Sequence, residues 1–158
     1  MSAERIAPLE LERFLPHRVN VIAELMSRTL GAIYRHHFGI SVPEWRVLAA
    51  LAYGAPLSAS EVGLRTHMEK ARVSRTLSRL QDAGLIRREV DPRDNRVAVL
   101  DLSRDGRELF SQLSAMAIDW EADLLAGMGD DDREHLTKLL GRLHARIDEL
   151  RASSSKLC

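Results

Sequence analysis

Residues 85–103 read LIRREVDPRDNRVAVLDLS, and the order of residues in this stretch decides the fold. Ile86, Arg88 and Val90, and then Val97 and Val99, recur at every second position, the period of a half-buried strand. Between the two runs, Asp91-Pro92 and Asp94-Asn95 are turn chemistry. The expected unit is a β-hairpin whose tip carries Arg93 and Arg96. Charge at the end of a sheet also serves to keep strand edges soluble, so the flanking sequence must separate a protected edge from a working tip.

Upstream, three helical segments lead into the hairpin. Residues 58–61, SASE, have the spacing of a capping box, with Ser58 accepting from the amide of residue 61 and Glu61 reaching back, so a short helix is expected to start at Ala59. A further helix is expected from about Glu69 to Ala83. It buries Val73, Leu77 and Leu80, and Gly84 stands where a left-handed residue closes a helix. Before both, a helix opens near Pro43, carries Val47, Leu48 and Leu51, and breaks at Tyr53-Gly54-Ala55-Pro56. Two short helices joined by a tight turn and followed by a hairpin is the order of a winged helix-turn-helix.

Both ends of the chain are helical by pattern. After an arm of about fifteen residues, Pro16 opens a helix. Its apolar stripe, Val19, Ile22, Ala23, Met26, Leu30 and Ile33, runs to about His37, and Gly39 ends it. Ser103 caps a long helix bearing Leu109, Leu113, Met116, Trp120 and Leu124. Gly127 and Gly129 interrupt it, and Asp130 caps a last helix with Leu136, Leu139, Leu140, Leu143, Ile147 and Leu150. Long apolar stripes with so little domain to lean on favour a two-fold partner over a bundle folded back within one chain. The expected fold is therefore mainly α with a small β-hairpin wing. It divides into an N-terminal arm and dimerisation helix (1–40), a winged helix-turn-helix (41–102), C-terminal dimerisation helices (103–151) and a tail (152–158), in one compact domain overall.

The chain has 158 residues, 45% of them hydrophobic and 29% charged, which suits one domain with a real core. No apolar run reaches the length of a membrane span and the N-terminus lacks the order of a secretory signal, so a cytoplasmic protein is expected. Its one cysteine is Cys158, which leaves no intrachain disulfide and no internal redox thiol. Net charge is zero, but residues 65–96 hold nine cations (Arg65, Lys70, Arg72, Arg75, Arg79, Arg87, Arg88, Arg93, Arg96) against five anions (Glu69, Asp82, Glu89, Asp91, Asp94). That is a local +4 in a chain otherwise about −4.

The chemistry concentrates there. At 100° per residue, Arg75 lies almost opposite Val73, Leu77 and Leu80, and Arg72 and Arg79 flank it. Lys70, Arg72, Ser74, Arg75, Ser78 and Arg79 form the candidate groove-reading face, since a guanidinium in a major groove pairs with both acceptors of guanine and its neighbours hold phosphates. Thr76 is expected to add a hydroxyl to that face. A hairpin that follows such a helix reaches the adjacent minor groove, whose negative potential draws in an arginine. The candidate wing residues are Arg93, Asp94, Asn95 and Arg96, with Arg96 the inserted side chain and Asp94 its brace.

From about Trp45 to Arg107 the chain resembles the MarR family of bacterial transcriptional regulators. The resemblance rests on EWRVLAAL, on VSRTLSRLQDAGLIRREVDPRDNR and on LSRDGREL taken together. It implies an obligate homodimer joined by helices one, five and six, with winged helices on double-stranded palindromic DNA. The family's Asp-x-Arg wing pattern stands here as Asp94-Asn95-Arg96. Gly63 departs from the alanine more usual in the third helix, where glycine costs up to about 1 kcal/mol.

Proteins similar to this release DNA when a small aromatic or anionic compound, such as an aromatic acid or its CoA thioester, enters a cleft beside the DNA-binding lobe. The candidate lining is Arg18, Tyr34, Trp45 and Arg46, although Trp45 is equally an ordinary core aromatic. No cofactor or metal is expected, because the histidines lack ligand spacing. No phosphate loop or nucleophile motif points to an enzyme. The leading expectation is a ligand-responsive DNA-binding repressor. The alternative is a winged-helix dimer that docks a protein without specific DNA binding.

Overall fold

The computed structural model describes residues 9–90 and 98–154. Among the described residues, a 3-10 turn at Leu11–Arg13 is followed by six helices: α1 (Leu15–Phe38), α2 (Val42–Gly54), α3 (Ala59–Thr66), α4 (Lys70–Asp82), α5 (Arg104–Leu124) and α6 (Asp130–Ser154). Three strands, β1 (Leu57–Ser58), β2 (Ile86–Val90) and β3 (Ala98–Leu102), form an antiparallel sheet in the order β1-β3-β2. The fold is mainly α with a winged helix-turn-helix, as the hairpin and its flanks imply. The sheet has one strand more than the sequence discloses, because β1 is two residues long and shows no alternation.

Local chemistry sets the helix ends. Gly39 takes φ +67° after α1, and its amide donates to the carbonyls of Arg35 and Tyr34, a left-handed close that costs glycine nothing. A capping box opens α3 as expected: the Glu61 amide donates to Ser58 Oγ at 3.3 Å and the Ser58 amide to Glu61 Oε2 at 2.7 Å. The Ser58 amide and the Ser58 hydroxyl, each donating to Glu61 Oε2 at 2.7 Å, hold the Glu61 carboxyl below its usual range. A second box, Ser41 with Glu44, opens α2. Asp130, expected as a cap, is instead the first residue of α6, beside Asp131 and Asp132 in a first turn that favours negative charge.

The chain forms two compact units, residues 1–117 and 118–158. The first unit holds the core. Val47, Leu48 and Leu51 of α2, Val62 of α3, Val73, Leu77 and Leu80 of α4, and Leu57, Ile86, Leu100 and Leu102 of the sheet are all buried with Tyr34 and Leu113. α5 starts against the sheet: the Ser103 amide donates to the Leu85 carbonyl at 3.0 Å, and Ser103 Oγ accepts from the Gly106 amide at 3.0 Å. The second unit consists of the end of α5 and all of α6.

Candidate nucleic-acid interface

On α4 the buried residues are Val73, Thr76, Leu77 and Leu80, one stripe at helical spacing. Lys70, Arg72, Ser74, Arg75, Ser78 and Arg79 are all exposed, so the helix carries four cations against Asp82, 4 − 1 = +3, outside its buried stripe. Among the described residues, no carboxylate lies within 4.0 Å of Lys70, Arg72, Arg75 or Arg79. On α6, by contrast, Arg146 meets Glu149 at 2.7 Å and Arg151 meets Asp148 at 3.9 Å. Thr76 corrects the sequence expectation. It is 6% exposed and its hydroxyl donates back to the Arg72 carbonyl at 2.8 Å, because threonine at that position turns with Val73 and Leu80 and satisfies its hydroxyl on the helix itself.

Turn geometry fixes where α4 begins. His67 closes α3 at φ +52°, a left-handed backbone held by a residue other than glycine, and its amide donates to Gly63 and Leu64. Gly63 is not required by space. A methyl group there would sit 3.5 Å from the Met68 carbonyl oxygen and from Val73 Cγ2, ordinary contact distances.

The base of the wing is organised by strand register. Arg88 pairs across from Leu100 and Ile86 from Leu102, while Arg87 pairs with Asp101 and Glu89 with Val99. Ile86, Arg88 and Val90 therefore share the face that continues the core, and Arg87 and Glu89 share the opposite one. On that opposite face the Asp101 carboxylate accepts from Arg87 Nη2 at 3.1 Å, from Arg107 Nη2 at 2.8 Å to each oxygen, and from the Leu102 amide at 2.7 Å. Arg87 Nε also meets Glu89 at 3.3 Å. The cluster ties β2, β3 and α5 together. It could not be read from sequence, because only the register brings Arg87 opposite Asp101. The candidate tip residues Arg93, Asp94, Asn95 and Arg96 lie outside the described residues.

The candidate effector residues are brought together in part. Tyr34 is fully buried and its ring lies 5.5 Å from that of half-buried Trp45, tilted by 30°. Among the described residues, no group hydrogen-bonds to Tyr34 Oη or Trp45 Nε1, although both atoms are buried. Burial pushes the Tyr34 hydroxyl up to about 12, so it remains a neutral donor near pH 7. Arg46 is exposed beside the pair on α2. Arg18 is exposed near the start of α1, roughly 24 Å from Tyr34 along the axis at 1.5 Å per residue, so one chain does not bring them together.

A MarR family model matches residues 38–96, which span α2 to the wing. The HTH-type transcriptional regulator YwoH of Bacillus subtilis (strain 168) is 26% identical over 129 residues, covering 82% of this chain and 93% of that protein. A MarR/EmrR family transcriptional regulator from Acinetobacter sp. ADP1 superposes with a TM-score of 0.83 at 26% identity, over 89% of this chain and 99% of the other. Bordetella bronchiseptica BpsR shares the fold at TM-score 0.79 and 20% identity, over 87% and 98% of the two chains. Likeness concentrated on the winged helix and extended along most of both chains, with a cationic α4 face turned outward, makes this chain similar to the MarR family of winged helix-turn-helix transcriptional regulators.

Proposed function

We propose that the chain acts in the cytoplasm as a homodimeric repressor that holds a palindromic operator and lets go when a small aromatic or anionic compound binds. The observation that carries the DNA part is the exposed set Lys70, Arg72, Arg75 and Arg79 opposite the buried stripe of α4, a set with no carboxylate partner among the described residues. Arg75, farthest from the core side, is assigned to base edges. Lys70, Arg72, Ser74, Ser78 and Arg79 are assigned to phosphates and neighbouring bases, and the wing residues Arg93, Asp94, Asn95 and Arg96 to the minor groove. Two such helices on a two-fold axis meet major grooves about one turn, roughly 10 bp, apart.

The effector assignment is supported by Tyr34 and Trp45. Two buried donors in one aromatic pair have no acceptor among the described residues, and an aromatic ring bearing a carboxylate supplies both a stacking face and acceptor oxygens. Exposed Arg46 adds a cation nearby. BpsR is a protein of this fold whose DNA binding is regulated by 6-hydroxynicotinic acid, a compound of that chemistry.

Fluorescence anisotropy with DNA from upstream of the protein's own gene, at two salt concentrations and with a panel of aromatic acids and their CoA thioesters, tests the proposal. Wild type should bind with steep salt dependence, and one compound class should release it. Arg75→Ala should lose about ten- to hundred-fold in affinity, the worth of one good bidentate base contact. Equal binding by wild type and Arg75→Ala would remove α4 as the reading element. No binding even after selection from randomised duplexes would move the winged unit to docking a protein.

A further inference from the structure

We infer that Arg88 is a DNA-contacting residue in its own right, a phosphate clamp between the groove-reading helix and the wing tip. The alternation of β2 separates the two adjacent arginines. Arg87 points to the outer face, where Asp101 and Glu89 neutralise it. Arg88 lies on the face that carries Ile86, Leu100 and Leu102, and Ile86 packs in the cluster that holds Leu77 and Leu80 of α4. At Arg88 that face leaves the core: Ile86 is buried, whereas Arg88 and Val90 are exposed. Among the described residues Arg88 has no carboxylate partner. A cation is thus held on a paired strand, without a carboxylate partner among the described residues, on the face of the sheet that carries the core residues Ile86, Leu100 and Leu102.

A major groove and its adjacent minor groove are separated by one phosphate backbone. With α4 in the first and the hairpin tip in the second, the strand face between them runs alongside that backbone. An arginine fixed there meets phosphate oxygens and not base edges, so it adds affinity without sequence preference. This assignment rests on the DNA-binding reading of α4 and the wing, and it adds a residue that the basic stripe on α4 does not include.

The test is the slope of log affinity against log salt concentration for wild type, Arg88→Gln, Arg88→Lys, Arg87→Gln and Arg75→Ala, each on the duplex from upstream of the gene and on a random duplex. Loss of a phosphate contact should flatten the slope by about 0.9 for each Arg88 engaged, with the same fold loss of affinity on both duplexes. Arg88→Lys should restore most of the slope, since an ammonium also binds phosphate. Arg87→Gln should lower thermal stability and leave the slope unchanged. An unaltered slope in Arg88→Gln, its fold intact by circular dichroism, overturns the assignment. A loss confined to the specific duplex overturns it too, by making Arg88 a base reader. If wild type binds neither duplex, the proposed regulator falls along with it, whereas wild-type binding that only Arg75→Ala weakens removes Arg88 alone.

Discussion

Asp101 shows how one carboxylate can hold three elements. Burial pushes its pKa up, but hydrogen bonds from Arg87 and the Leu102 amide and the charges of Arg107 and Arg87 outweigh that, so the carboxyl sits below its usual range. A group whose folded pKa is depressed contributes stability above its unfolded pKa and loses it as pH falls through the folded value. Asp101→Asn should therefore cost about 1–2 kcal/mol near neutral pH, given partly exposed charge-assisted bonds, and the difference should vanish in acid. Melting temperatures from pH 7 down to about 2 check this: the wild-type curve should fall towards that of the variant below roughly pH 4, and a constant gap would assign Asp101 a purely steric role. The reason Asp101 escaped sequence reading is general. Capping boxes and left-handed glycines, such as Ser58 with Glu61 or Gly84 at φ +70°, are local and legible, whereas a cross-strand ion pair depends on register.

At the scale of elements, the junction between sheet and α5 is tighter than its sequence suggests. A methyl group on Gly106 would lie 2.0 Å from the Leu85 carbonyl oxygen, which is backbone and already accepts from the Ser103 amide. Neither β2 nor the first turn of α5 can yield without the other. Gly106→Ala should cost about 2–3 kcal/mol as an overpacking change, lowering the melting temperature by roughly 5–10 °C. It should also weaken DNA binding, because Leu85 leads directly into the strand that carries Arg88. Thermal melts with anisotropy at a temperature where the variant remains folded check both effects, and an unchanged melting temperature would contradict the close approach. The same scale explains what the sequence revealed of α4. Val73, Leu77 and Leu80 defined its buried stripe and so its cationic side, but the stripe is one position wider, and Thr76 went unassigned to it because a hydroxyl reads as polar until its bond to the Arg72 carbonyl is seen.

At the scale of the whole molecule, the apolar stripes of the terminal helices remain uncovered. On α1, Leu15, Ile22 and Leu25 are 53–54% exposed, and on α6, Leu139, Leu140 and Leu150 are 50–59% exposed. Monomers rarely leave contiguous apolar patches above a few hundred Å² open, and α6 repeats its leucines near the spacing of a helix-pairing seam. In the proposed homodimer these stripes are the surfaces that a second copy of the chain would cover. Ile22→Glu or Leu140→Glu is then felt twice, once per subunit. Removing about 1.5–3 kcal/mol of burial at each site should weaken the dimer by about a hundred-fold or more. Sedimentation velocity should show a shift to monomer at micromolar concentration with helical content retained. Because a monomer brings one α4 and one wing to DNA, the salt slope of residual binding should fall to about half. Folding back within one chain makes the opposite prediction: the same substitutions would lower thermal stability and leave the sedimenting species and the salt slope as they are in wild type.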